Sequence, residues 1–195
     1  MTLRLVSLDC PSCGSALHGE GLDTIFFCDH CGDAAVLGEN GLESVESAAL
    51  VPAPGRPANT WRPAWLIEAG VTVSDRVRQG GRRGDGWQER RTFVIPAFEM
   101  PLGDLTRIAR ALSEVAGETR DVPREPIHGG TLAIEDAVTL IRHIVIGDEV
   151  RKSDMLSSVT VDIDVVSSRL VAIPFEPADG GLRCSITGVT VRIGE

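Results

Sequence analysis

The chain has 195 residues, of which 43% are hydrophobic, and a net charge of −9 at neutral pH. This length and composition predict a globular protein with one medium-sized domain and room for a small additional module. No apolar stretch approaches the ~18 residues of a membrane-spanning helix. The composition thus excludes a helical membrane protein, and we expect a cytoplasmic location.

The negative charge is concentrated in residues 1–50. This segment contains eight carboxylates and one basic residue, Arg4, which leaves a net charge of −7. The carboxylates are Asp9, Glu20, Asp23, Asp29, Asp33, Glu39, Glu43 and Glu46. Because binding to phosphates depends on lysines and arginines that displace counterions, we expect this segment to repel nucleic acid. Its surface is better suited to a protein partner or to a purely structural role.

One five-residue pattern occurs twice in this acidic segment, as CPSCG over 10–14 and as CDHCG over 28–32. In each copy a tight turn ending in glycine can present two thiolates toward one point. Fourteen residues separate Cys13 from Cys28, and this spacing is usual for structural zinc sites. The pattern therefore predicts a Zn²⁺ site. Its ligands are Cys10, Cys13, Cys28 and Cys31.

This layout resembles the zinc ribbon, a broad superfamily of small tetrathiolate modules, with the four cysteines in the ligand positions. The resemblance covers roughly the first 45 residues and implies a fold rather than a function. Since four thiolates complete a tetrahedral coordination sphere, we interpret the metal as structural and not catalytic. Metal binding also supplies folding free energy that so short a segment lacks.

Two other interpretations of the cysteines are weaker. A disulfide framework is typical of secreted chains, whereas the N-terminus here lacks the long apolar stretch of a signal peptide. His18 and His30 lie near the cysteines in sequence and raise the alternative of a mixed site. We expect both histidines to be bystanders, because four well-spaced thiols are available.

A proline-rich segment separates this module from the rest of the chain. Pro52, Pro54 and Pro57 lie close together, a composition that favours an extended, semi-rigid spacer. The sequence thus predicts a zinc ribbon over 1–46 and a linker over 47–60, followed by an α+β domain over 61–195. On this division, loss of a zinc ligand should unfold the ribbon and leave the domain beyond Trp61 folded.

The predicted domain has about five strands, with two helices between the strand groups. Segments 61–78 and 90–101 are rich in β-branched and aromatic residues, which favours a hairpin with a long loop. Apolar residues at helical spacing predict helices over 102–116 and about 133–146. Three further strands are predicted near the C-terminus, separated by turn signals. They cover 159–166, 168–176 and 182–193.

The long hairpin loop contains the main concentration of basic residues in the chain. Flexible Arg/Gly segments with an aromatic residue can hold nucleic acid by phosphate pairing and base stacking. A solvated loop is the simpler interpretation, and an acidic protein surface, including the protein's own ribbon, is another candidate partner. The candidate binding residues are Arg76, Arg78, Arg82, Arg83, Trp87, Arg90 and Arg91.

Sequence motifs of the common enzyme classes are absent: there is no serine elbow, HExxH motif or dinucleotide fingerprint. Trp61 and Trp65 are expected to pack in the core, as is Cys184. We therefore predict a non-enzymatic interaction or assembly protein with a structural zinc ribbon and a protein partner. A nucleic-acid-associated factor using the Arg/Gly loop and an enzyme without recognisable motifs are the alternatives.

Overall fold

The computed structural model describes residues 6–115, 117–152 and 156–193. Within these residues the chain forms ten strands and two helices, arranged around a small three-stranded sheet and a large seven-stranded sheet. The fold is α+β, as predicted, and the cysteine-containing segment precedes the large sheet.

The small sheet is an antiparallel meander of β1 (Ile25–Phe27), β2 (Ala34–Gly38) and β3 (Gly41–Val45). Successive side chains of a strand point to opposite faces. In β1, Phe26 packs beside the cysteines, whereas Ile25 and Phe27 belong to the apolar core of the large sheet. The small sheet therefore connects the cysteine cluster to the rest of the protein.

The large sheet is built around β5 (Thr60–Arg78), which pairs antiparallel with β6 (Trp87–Pro96) on one edge and with β8 (Leu156–Ala178) on the other. This confirms the predicted hairpin. At about 3.3 Å per residue, the 19 residues of β5 span about 60 Å. The two ends of β5 are therefore far apart.

Four shorter strands extend the sheet beyond β8. β4 (Ser47–Leu50) pairs parallel with β8 and antiparallel with β7 (Thr119–Arg120). β9 (Gly181–Cys184) pairs with the end of β8 and with β10 (Thr190–Val191). The sheet thus has more strands than the five predicted from sequence.

The first four residues of the predicted linker belong to this sheet and do not act as a spacer. Ala49 and Leu50 are buried and pair with β7. The apolar run SAAL supplies a strand before the first proline, and residues 51–59 then connect β4 to β5.

The predicted break between two C-terminal strands is a β-bulge. Glu68 pairs with Ser167 and Ala69 pairs with Val165, so Val166 is an extra residue in β8. A bulge absorbs one residue without ending a strand, and the two predicted strands are therefore one. By contrast, the predicted strand over 182–193 is divided into β9 and β10.

The helices α1 (Leu102–Val115) and α2 (Ile134–Lys152) follow β6 and precede β8, as predicted. They cover opposite faces of the large sheet. α1 packs with alternate sheet residues that include Ala64, whereas α2 packs with the core that contains Trp61 and Trp65. Both tryptophans are buried, which confirms their predicted packing.

α2 continues six residues beyond its predicted end. Gly147 lies inside the helix, where its missing side chain gives room to Arg110 of α1. A Cβ at Gly147 would lie 2.8 Å from the Arg110 guanidinium. Arg110 also pairs with Asp148 at 3.1 Å, and these contacts join the two helices.

Asp104 connects the start of α1 to the C-terminal segment. Its carboxylate accepts hydrogen bonds from Arg107 at 2.6 Å and from the Arg192 guanidinium at 3.0 Å. The backbone N–H of Arg192 donates a third, at 3.2 Å. The hydrogen bond from Arg107, followed by those from Arg192, lowers the pKa of Asp104 to about 2.

Replacing Asp104 by asparagine should lower the free energy of unfolding at pH 7 by about 1–2 kcal/mol, because hydrogen bonds to a charged acceptor are lost. The folded-state pKa lies below the unfolded value of about 3.9. The stabilisation is therefore complete above that value and disappears as the pH falls toward about 2. Urea unfolding across this range measures the effect, with exposed Asp162→Asn as control. A difference from wild type that is unchanged at pH 2 would contradict the prediction.

Candidate metal centre

Two turns of the same backbone geometry hold the four cysteines. In the first, the Gly14 N–H donates to the Cys10 carbonyl at 2.8 Å; in the second, the Gly32 N–H donates to the Cys28 carbonyl at 2.8 Å. Gly14 and Gly32 have φ angles of 74° and 84°, in the left-handed region that favours glycine. These are the turns that the repeated motif predicts.

The four sulfur atoms converge on one point. All lie within 4.8 Å of one another, and Cys10–Cys31 and Cys13–Cys28 each have an Sγ–Sγ distance of 3.6 Å. Sulfurs around tetrahedral zinc, with Zn–S bonds of about 2.3 Å, are separated by about 3.8 Å. A disulfide would need about 2.05 Å. The cluster is consistent with a bound metal such as zinc.

The cluster lies between an apolar floor and solvent. Cys10 and Cys28 are buried, whereas Cys13 and Cys31 are exposed. Leu17, Phe26 and Ala35 pack beneath the buried pair. This apolar support holds the inner thiols in place, and the outer thiols lie on the solvent side.

The thiols differ in acidity in the metal-free protein. Hydrogen bonds from Ser15 lower the pKa of Cys13 to about 6. Desolvation raises the pKa of Cys28 and raises that of Cys31 to about 12. Because the thiolate is the metal ligand, binding of a metal ion displaces protons from the less acidic cysteines.

The nearby histidines stand apart from the cluster. Within the described ranges, the cysteines form the single group of three or more potential ligands that is compact enough to hold a metal. His18 and His30 are both exposed. Their placement is consistent with the predicted bystander role.

A third turn has the same backbone hydrogen bond but contains one cysteine. The Gly188 N–H donates to the Cys184 carbonyl at 2.8 Å, and Gly188 has a φ of 76°. Thr187 occupies the position of the second cysteine. Cys184 is fully buried, as predicted. Its side chain packs in an apolar cluster and does not face a second thiol in this turn.

A backbone contact fixes the small sheet to the segment before α2, which in turn is hydrogen-bonded to Ala97 after β6. The Ile25 N–H donates to the Gly130 carbonyl at 2.9 Å, and the Gly130 N–H donates back at 3.0 Å. A Cβ at Gly130 would lie 2.5 Å from the carbonyl oxygen of Ala97, so only glycine permits this approach. The contact is near the Trp61 end of β5, since Trp61 forms a bridge with the adjacent Ile127.

The basic loop lies at the other end of β5. It joins Arg78, the last residue of β5, to Trp87, the first of β6. Most of the length of β5 lies between this loop and the attachment of the small sheet. Among the described residues no ion pair joins the loop arginines to the carboxylates of the small sheet, and the small sheet packs through apolar residues on the large one.

Two of the predicted loop residues have structural contacts. Trp87 Nε1 donates to Glu149 Oε1 at 3.0 Å, and Arg76 Nε lies 2.9 Å from Glu149 Oε2. Glu149 is fully buried in α2. Asp75, with a φ of 48°, lies in a bulge of β5. The extra residue shifts the side-chain alternation, and Arg76 thereby faces α2.

The other predicted residues remain at the surface. Arg91 is half-buried, pairs with Glu89 and stacks on Phe93 with its guanidinium 5.2 Å from the ring centre. The structure leaves four arginines exposed in and beside the loop. They are Arg78, Arg82, Arg83 and Arg90.

Sequence reasoning missed a groove beside this loop. The groove has a volume of about 390 Å³, and its charged lining consists of four basic residues, Arg91, Arg110, Arg151 and Lys152, and three carboxylates, Glu89, Glu114 and Asp148. Lys152 Nζ also lies 5.4 Å from the Trp87 ring centre. The basic pair at the end of α2 was visible in sequence, but the helix was predicted to end before it.

No helix within the described ranges is long and apolar enough to cross a membrane. Comparison with known proteins found no matching family model, no matching curated protein and no matching solved structure. The case for function therefore depends on the geometry and charge of this chain.

Proposed function

We propose that the chain is a non-enzymatic cytoplasmic interaction or assembly protein in which a structural Zn²⁺ ion shapes an acidic ribbon. The observation that carries this proposal is the convergence of four thiols above an apolar floor. Four thiolates leave no coordination position for substrate or water. The metal then contributes to folding, and the surface around it contributes the function.

The surface of the ribbon supports binding to a basic protein. Zinc with four thiolates adds two negative charges to a segment that already has a net charge of −7. A surface with mainly negative charge attracts positively charged partners and accelerates their association. The exposed carboxylates of the ribbon are Asp9, Glu20, Asp29, Glu39, Glu43 and Glu46.

We expect protein purified without chelators to contain one zinc ion per chain by elemental analysis. Cys13→Ser should bring the zinc content well below one, because a ligand is lost. Cys184→Ser is the matched control and should retain the metal. Iron in place of zinc, or zinc content unchanged by Cys13→Ser, would contradict this assignment.

A pull-down from nuclease-treated native lysate tests the partner. Wild-type protein should capture a specific protein, identified by mass spectrometry, and Asp29→Asn/Glu39→Gln/Glu43→Gln should lose it. A matched variant, Glu68→Gln/Asp162→Asn/Asp164→Asn, removes three exposed carboxylates from the large sheet and should retain it. Equal capture by both variants would overturn the role of the ribbon, and a turnover activity would overturn the non-enzymatic assignment.

Nucleic-acid binding is the second candidate, and the exposed arginines of the loop, together with the bases of the groove beside it, favour it. Arg151 and Lys152 line this groove with Arg91, which extends the basic surface beyond the loop itself. Capture that disappears with nuclease and tolerates the ribbon variant would support this candidate. Affinity for a single-stranded oligonucleotide would then fall with salt and with Arg82→Ala/Arg83→Ala.

A further inference from the structure

Two cavities adjoin where the ribbon meets the large sheet. One has a volume of about 310 Å³ and the other about 390 Å³. They share Glu20, Asp23, Arg62 and Gly129 in their linings, and we call the two together the junction cleft. Each volume lies at the lower end of the roughly 300–1,000 Å³ range of small-molecule sites.

Arg62, at the start of β5, provides a cation in this cleft. Its Nε is buried, and within the described parts of the chain it has no hydrogen-bond partner. Burial lowers the pKa of Arg62, while Glu20 and Asp23 oppose that change. A buried donor without an acceptor is uncommon in native proteins and indicates that something other than these residues satisfies it.

Arg62 and Asp23 are each held by contacts with uncharged neighbours. Arg62 is positioned over Phe98, with its guanidinium 5.6 Å from the ring centre. Asp23 accepts a hydrogen bond from the Glu20 N–H at 2.7 Å. Its carboxylate also lies against Gly129, where a Cβ would overlap it. Among the described residues no ion pair closes between Arg62 and these carboxylates, although all three line the same space.

We propose that the junction cleft binds a small zwitterion of the amino-acid class, with its carboxylate on Arg62 and its ammonium group on Glu20 and Asp23. A guanidinium presents parallel N–H donors that match a carboxylate. An ammonium group carries donors alone and suits the two acceptors opposite. Free amino acids and the termini of very short peptides share this chemistry.

The other ligand classes fit the cleft less well. Phosphate and other multiply charged anions would be repelled by the carboxylates Glu20, Asp23, Asp29 and Glu99, which outnumber Arg62 in the lining. A metal ion needs ligands close together, and within the described chain only the cysteines are so arranged. A ligand with separated opposite charges uses both halves of the lining.

Binding is tested with the zinc-loaded full chain and a panel of the twenty common L-amino acids plus trialanine. Acetate and ethylamine, each carrying one half of the zwitterion, and inorganic phosphate are the controls. We expect at least one zwitterion to raise the thermal midpoint and to give a saturable calorimetric titration at concentrations where the controls have no effect. Tighter binding of an amino acid than of trialanine would identify free amino acids as the ligand class, and the reverse would identify short peptides. Absence of binding across the panel, or equal binding of acetate or phosphate, would overturn the proposal.

Variants then locate the site. Arg62→Met and Asp23→Asn should each weaken binding at least 10-fold, whereas Arg169→Gln, which removes an arginine on β8 outside the cleft lining, should not. Glu20 is exposed, so Glu20→Gln tests the same site if Arg62→Met fails to fold. Unchanged affinity in folded Asp23→Asn and Glu20→Gln would contradict the assignment.

Discussion

Replacing Cys28 by serine should remove the metal and lower the stability of the whole chain, not of the ribbon alone. The loss should be at least about 3 kcal/mol, since zinc binding to isolated zinc-finger peptides is worth about 10–16 kcal/mol at pH 7. Ile25, Phe27 and Ala34 belong to the same apolar cluster as Trp61. Unfolding of the ribbon would therefore expose part of the core of the large sheet.

Tryptophan fluorescence measures this coupling directly. Trp61, Trp65 and Trp87 all lie in β5 or β6, so the signal reports on the large sheet and not on the ribbon. We expect the fluorescence midpoint in urea or heat to fall in Cys28→Ser. Ser12→Ala, which changes an exposed residue within the first turn, should leave the fluorescence midpoint unchanged. A metal-free Cys28→Ser protein with an unchanged midpoint would show that the ribbon is an independent unit.

The second large effect is expected at Glu149, which joins the base of the basic loop to α2. Glu149→Ala should lower the free energy of unfolding by about 3–5 kcal/mol, because it leaves the partly buried guanidinium of Arg76 without its carboxylate. The Trp87 indole and Lys152 lose a partner in the same step. Glu149→Gln keeps an acceptor for Trp87 and should lose less.

The control for Glu149 is an ion pair at the surface of the same hairpin. Glu89 is 54% exposed in its side chain and lies 3.4 Å from Arg91. Exposed pairs of this kind contribute about 0–1 kcal/mol, so Glu89→Ala should change little in the same urea titration. Equal losses in the two alanine variants would show that the buried network does not stabilise the hairpin.

Local patterns in the sequence were sufficient for the cysteine turns and most elements. The CxxCG motif specifies its own turn, because glycine permits the left-handed backbone at Gly14 and Gly32. The strand β5 and the helix α1 were predicted to within one or two residues, since both have long, strongly patterned apolar positions. These features depend on neighbours in sequence.

Features that depend on distant neighbours were missed. The second helix was predicted over about 133–146, whereas α2 continues through Gly147, which contacts Arg110 of α1. Asp75 and Val166 lie at bulges that no periodicity indicates. The pairing of Ile25 with Gly130 joins segments about a hundred residues apart, and the shared core follows from that pairing.

The junction cleft also depends on residues that are distant from one another in sequence. Its lining comes from the ribbon, from the start of β5 and from the segment around Gly129. Nothing in the sequence around Arg62 marks it as a binding residue. It stands out in the structure because its Nε is buried without a hydrogen-bond acceptor among the described residues. A signal of this kind becomes visible once the three segments are assembled.

Whether the zinc-held ribbon binds a protein partner is tested by partner capture with the same protein before metal removal, after it and after reloading with zinc. If zinc shapes the acidic ribbon for a protein partner, the nuclease-resistant partner should be captured by the zinc-loaded protein, lost after chelation and recovered on reloading. Capture that is unaffected by removal of the metal would contradict the claim that the zinc-held ribbon is the binding surface.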